Sequence, residues 1–290
     1  MHLTHAQEAA IRYVEKYAST RRERAKEAIE EVRAMSNIPP AQLAQALRAI
    51  KTHARVVLHF HPDRLDNQGL TVAESMLTCG SYRNQFETGV SNGKLSPLPG
   101  GPRDTWENQL FGGRYGATGI APGERPKYGA LDLMRHPDGP APRFGSCYLV
   151  LKPEVSARCT FSYLDSHRSP AERGTLAVFE DILAALLTEC FERNYALGEH
   201  HLSPAALTVR LESTLPLPYA DPARGTPARV AGSGRCVAAV YVSQGAACRP
   251  NKQRPGIILI RVGYCVFAQR GLPYRTSTCQ SILSSCRQCS

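Results

Sequence analysis

The sequence predicts an α+β fold: a helical N-terminal third, a mixed α/β body, and a C-terminal stretch outside the folded unit. Three observations carry this. Residues 4–54 place their apolar side chains at helical spacing and contain no β-type run. Such runs begin only at Val56, and from there they alternate with capped helices. Finally, the acids stop at Asp221: residues 222–290 hold ten Lys+Arg and no Asp or Glu, and so carry the whole net charge of +10. Ordinary folded domains do not run so long without a carboxylate. The expected organisation is therefore a helical region over 1–54, an α+β body over 55–229 and a basic, Cys-rich tail over 230–290.

Taken in order, Thr4 caps a first helix with Ala10, Ile11, Val14 and Ala18 on one stripe. Ser19 or Thr20 caps a second, through Ala25, Ile29, Val32 and Met35. Asn37-Ile-Pro-Pro40 breaks it, and a third helix uses Leu43, Leu47 and Ile50. Residues 56–60 form a strand that Pro62 ends. Thr71-Val-Ala-Glu74 is a capping box that opens a short helix. Residues 94–127, rich in Gly and Pro, read as a long irregular excursion. Its aromatics, Trp106, Phe111 and Tyr115, with Tyr128 just beyond, argue for order. Strands are expected at 143–152 and 155–163, then a polar loop over 164–168. Ser169-Pro-Ala-Glu172 opens a helix over about 171–196, and Ser203-Pro204 caps another to Leu211.

Composition narrows the function. The chain has 290 residues, 42% hydrophobic, with no apolar run long enough for a membrane span. Its polar start reads as a helix, not a cleaved signal, so the expected location is the cytoplasm, or outside it as an effector exported without one. Cys79, Cys147, Cys159 and Cys190 read as reduced thiols. The tail is either a basic appendage for an anionic partner or an end never selected to fold. The second is favoured, since its only strand-like run is 256–264 and its charges follow no period. A nucleic-acid or membrane partner is accordingly not expected.

Two segments could carry chemistry. In His59-Phe-His-Pro-Asp-Arg64 a strand would point His59 and His61 to one face. With Asp63 or Asp165/His167 they would suit a metal-dependent hydrolase, the alternative function; a binding module with a basic tail is a third. The other segment holds Arg83, Gln85, Glu87, Ser91 and Asn92 within ten residues, between glycines that permit close backbone approach. Arg83 can hold a phosphate, and Glu87 can act as a base or stabilise an oxocarbenium ion. A polar turn of Asn and Ser, satisfying only its own backbone, is the plain reading of the same residues.

A resemblance extends this. The ordered series His59-Phe-His-Pro-Asp-Arg64, Tyr82 to Gly93, Leu110-Phe-Gly-Gly113, Arg125 to Asp132, Arg143-Phe-Gly-Ser146 and Thr160-Phe-Ser162 resembles a bacterial domain family of unknown function. That family is similar to secreted effectors that ADP-ribosylate threonine on ubiquitin. The resemblance covers about 1–229 and implies a split fold with NAD, as substrate, in a cleft. His61 and Arg64 would contact its phosphates, with Asn92 nearby, and Ser162 would brace the nicotinamide pocket. The family's later glutamate has no counterpart in Val230-Ala-Gly-Ser-Gly-Arg-Cys236. Glu87, with Arg83, or Glu212 would take its role, or this copy lacks it. The implied partner is an acceptor protein.

Overall fold

The computed structural model describes residues 3–91, 95–117, 119–151, 153–213, 238–242 and 260–262. Helix α1 (His5–Met35) starts as expected: the Thr4 hydroxyl accepts from Gln7 N, and the Gln7 side chain accepts from Thr4 N at 3.0 Å. The break expected at Ser19 and Thr20 does not occur. Ser19 Oγ donates to the Glu15 carbonyl and Thr20 Oγ1 to that of Tyr17, so neither serves as a cap. No Gly or Pro intervenes, and the helix runs unbroken for 31 residues, about 46 Å. Asn37, at φ +53°, and the following prolines do end it, before α2 (Pro40–His53).

Strands β1 (Arg55–Phe60), β2 (Lys127–Asp132), β3 (Cys147–Val150), β4 (Cys159–Tyr163), β5 (Arg173–Thr175), β8 (Ala238–Val242) and β9 (Ile260–Val262) form one antiparallel sheet. Its order is β5-β4-β8-β2-β1-β3-β9. The hairpin β6 (Tyr195–Ala196) and β7 (Glu199–His200) stands apart. Helices α3 (Val72–Cys79), α4 (Gln85–Thr88), α5 (Pro102–Phe111), α6 (Pro153–Ser156), α7 (Glu180–Arg193) and α8 (Pro204–Glu212) complete the fold. The capping boxes at Thr71/Glu74 and the Ser203 cap are as the sequence implies.

Alternation along β1 sends Val56, Leu58 and Phe60 into the main core and Val57 and His59 to the opposite face. That core also takes Val32 of α1, Ile50 of α2, Phe161 of β4 and Leu183, Leu186 and Leu187 of α7. The N-terminal helices and the body therefore share one interior. A second cluster joins the first half of α1 (Ala10, Val14) to Leu110 and Phe111 of α5 and to Tyr115. At α1's midpoint Arg21 pairs with Asp181 at 2.8 Å and Arg22 with Glu180 at 2.7 Å, both in the first turn of α7. Anions there suit the helix N-terminus as well.

Further readings of the sequence need correction, and the strand expected from 155 begins only at Cys159, because Pro153–Ser156 is helical. The excursion at 94–127 contains α5, flagged by Pro102 at its first turn and by Gly112 in the left-handed conformation at its end. Residues 127–132 form a strand, β2. The helix expected from 171 begins only at Glu180, because Ser169 is at φ +46° and 173–175 pair with β4. Two tail segments lie in the sheet: β9 falls inside the 256–264 run, while β8, between β4 and β2, was not expected. The rest of 214–290, and with it the reading of an unfolded tail, lies outside the described residues. Among the described residues no helix is long and apolar enough to cross a membrane.

Candidate functional site

A cleft of about 760 Å³ opens on the sheet face opposite the main core. Its size is that of a small-molecule site. The residue just past β1 is His61, and the loop beyond supplies Arg64 and Asp66. The segment after α3 brings Tyr82 and Arg83; α5 brings Arg103 and Trp106; β2 brings Tyr128. The turn after β4 closes the wall with Asp165 and His167, beside Arg143.

Four guanidinium groups (Arg64, Arg83, Arg103, Arg143) thus face two carboxylates (Asp66, Asp165) across a cleft lined with aromatic rings. Asp66 is neutralised by its own fold. Its Oδ1 accepts from Gln68 N at 2.9 Å and Leu70 N at 3.0 Å, and its Oδ2 from Arg83 Nη2 at 2.6 Å. Burial opposes ionisation, but these bonds outweigh it and hold the carboxyl below its ordinary range. Arg83 is left with a buried Nε–H that has no acceptor among the described residues. Such a donor costs about 1–3 kcal/mol until it is met. Arg143 pairs with Asp165, whose Oδ2 lies 3.5 Å from His167 Nδ1. The Arg103 guanidinium lies 5.0 Å from the Trp106 ring centre, and its Nε donates to Ser91 Oγ at 3.0 Å.

The wall carrying Arg103 and Trp106 is anchored from behind. Arg125 Nη1 bridges Asp104 Oδ1 at 2.6 Å and Glu107 Oε1 at 3.1 Å, and Tyr128 donates to Glu107 Oε2 at 2.6 Å. Glu107 is fully buried. Desolvation dominates over these bonds and pushes its carboxyl up to about 7.

The structure gathers His61, Arg64 and Arg83 in one cleft, joined through α3 as a crossover helix. Burial, reinforced by Arg64 and opposed by Asp63, keeps the His61 imidazole below its ordinary pKa. Two other candidates sit elsewhere. Glu87 does not line the cleft. Its Oε2 accepts from Asn84 N at 2.8 Å as the capping-box acid of α4, and pairs with Lys127 at 3.5 Å. Ser162 is wholly buried off the cleft and donates to the Leu164 carbonyl at 3.0 Å. Asn92 lies outside the described residues. Glu212 closes α8, away from the cleft's wall.

His59 and His61 do not form a chelating pair. The β1 strand ends at Phe60, and His59 faces backbone with both ring nitrogens: Nδ1 lies 2.9 Å from the Gly145 carbonyl, and Nε2 accepts from Ala141 N at 3.2 Å. Burial keeps its pKa low, so the ring is a neutral brace. Among the described residues no three His, Cys, Asp or Glu side chains gather as a metal site. Arg103, Trp106 and Arg143 were not read as site residues. The available signal was an Arg and a Trp three apart on a helix with Pro and Gly at its ends.

A model of the family described as "Protein of unknown function (DUF3626)" matches residues 55–230, which begins at β1 and takes in the cleft's walls. No curated protein matches the chain.

Proposed function

The chain belongs to the DUF3626 family, and from that premise we propose that the cleft binds NAD as substrate and transfers its ADP-ribose to a side chain of an acceptor protein. The observation that carries this reading is a cleft lined by four guanidinium groups against two carboxylates. That arrangement calls for an anionic oxygen. A pyrophosphate would supply one, held by Arg83 and Arg64 with His61 beside them. Tyr82, Trp106 and Tyr128 offer flat faces for a base or a nicotinamide ring. The similarity of this family to threonine-modifying effectors, implied by the motif resemblance, suggests the same substrate, with ubiquitin as the candidate acceptor.

In the transfer, the bond from nicotinamide nitrogen to the ribose C1′ breaks and its electron pair leaves with neutral nicotinamide. Positive charge develops on the ribose, and Asp165 is the cleft carboxylate we assign to face it. It reaches the cleft surface, whereas Asp66 is fully enclosed. Asp165 thus takes the part that the sequence alone gave to Glu87. The experiment is calorimetric titration of NAD, with free nicotinamide as control and bound metal assayed on the same sample. Saturable binding, weakened about tenfold or more in Arg83→Ala, is expected. A bound transition metal with no NAD affinity would overturn the reading.

A further inference from the structure

A second cavity, about 650 Å³, lies between α1, α7 and the turn after β4. It shares three residues with the cleft: Arg143, Asp165 and His167. The two spaces therefore have one partition, and it is made of a guanidinium, a carboxylate and an imidazole in contact. Arg143 pairs with Asp165, and Asp165 Oδ2 lies 3.5 Å from His167 Nδ1. The Trp106 ring of the cleft wall sits 6.0 Å from the imidazole.

The turn that carries Asp165 and His167 is strained. Leu164 is at φ +70° and Ser169 at φ +46°, both left-handed conformations that side chains of this kind disfavour. Such residues persist where their surroundings over-determine them, and they collect at functional sites. Here β4 and β5 clamp both ends, with Tyr163 N donating to Glu172 O at 2.9 Å. Within the turn Arg168 N donates to Asp165 O at 3.0 Å, and Ser169 N to Ser166 O at 3.1 Å. The strained turn fixes the backbone that carries His167, whose side chain stands half exposed between the two spaces.

We propose that His167 is the general base of the transfer, taking the proton of a hydroxyl acceptor that approaches from the second cavity. This rests on the NAD reading of the cleft. In the tautomer that turns Nδ1–H towards Asp165, 3.5 Å away, the imidazole would present Nε2 with its lone pair. The acceptor oxygen forms its bond to C1′ as the nicotinamide nitrogen leaves, and its proton passes to Nε2. Asp165 lies beneath both the ribose cation and the imidazolium. A hydroxyl acceptor requires such a base; an acceptor already anionic does not.

Azide tests it, because azide attacks C1′ with no proton to lose. The full chain and His167→Gln are incubated with NAD, water standing in for the acceptor hydroxyl, and nicotinamide and sugar products are separated. Expected is a loss of about 10²-fold or more in nicotinamide release by the variant. NAD affinity should stay within threefold, and azide should restore release with 1-azido-ADP-ribose as product. Wild-type release by the variant, or a loss that azide does not restore while NAD still binds, overturns the base assignment and leaves the NAD reading intact. A wild-type protein that neither binds nor cleaves NAD overturns both.

Discussion

The two faces of the central sheet are held by different physics. One face packs Val56, Leu58, Phe60 and Phe161 against Leu183, Leu186 and Leu187, with no charge among them. The other carries His59 and Tyr128 under a shell of ion pairs: Arg83–Asp66, Arg125–Asp104/Glu107 and Arg143–Asp165. The apolar face is tolerant, since aliphatic contacts have no direction. The polar face is not: each charge depends on one or two named partners. Binding chemistry sits on the second face because ligands are read by placed donors, and placing them needs this anchoring.

The largest effect is expected at the anchor. Arg125→Ala leaves Asp104 and Glu107 buried without their cation and should lower stability by about 4 kcal/mol in urea unfolding, with loss of NAD binding. On the apolar face, Leu186→Ala should cost about 3 kcal/mol through the cavity it leaves, yet change NAD affinity less than threefold. Equal losses of affinity in the two variants would remove the distinction between the faces.

Glu107 gives the contrast a pH dependence. Its carboxyl is raised from 4.5 to about 7, so the folded state keeps a proton that the unfolded chain releases. The stability this supplies is full below about pH 4.5 and is lost as pH rises towards 7, by an upper bound of about 3 kcal/mol. Glu107→Gln should flatten that part of the stability profile. A profile with the wild-type slope would show that Glu107 is ionised throughout. Smallest is Arg103→Lys, which keeps the charge but not the planar stack on Trp106, and should weaken NAD about tenfold with melting temperature unchanged.

The apolar face was legible because its signal is periodic: Val32, Ile182, Leu186 and Leu187 fall where helical spacing puts them. So were the caps at Thr4, Thr71 and Ser203, which are local. β2 was hidden by Gly129, a poor strand former. It is needed there because a Cβ would lie 2.6 Å from the Val57 carbonyl. Ser19 and Thr20 looked like caps because a hydroxyl's direction is not written in the sequence. The site was half legible. His61, Arg64 and Arg83 lie in short dense segments, whereas Asp165 and His167 meet Trp106 and Arg143 only through tertiary packing. Glu87 misled because a capping-box acid and a catalytic acid are the same residue type in the same kind of turn.

The most direct test of the central claim is nicotinamide release from NAD by the full chain and by Asp165→Asn, quantified chromatographically. The account predicts steady release by the wild type and a loss of about 10²-fold or more in the variant, with the variant still folded at the assay temperature and NAD affinity within a few-fold. Release by the variant at the wild-type rate, or none by a wild-type protein saturated with NAD, would contradict it.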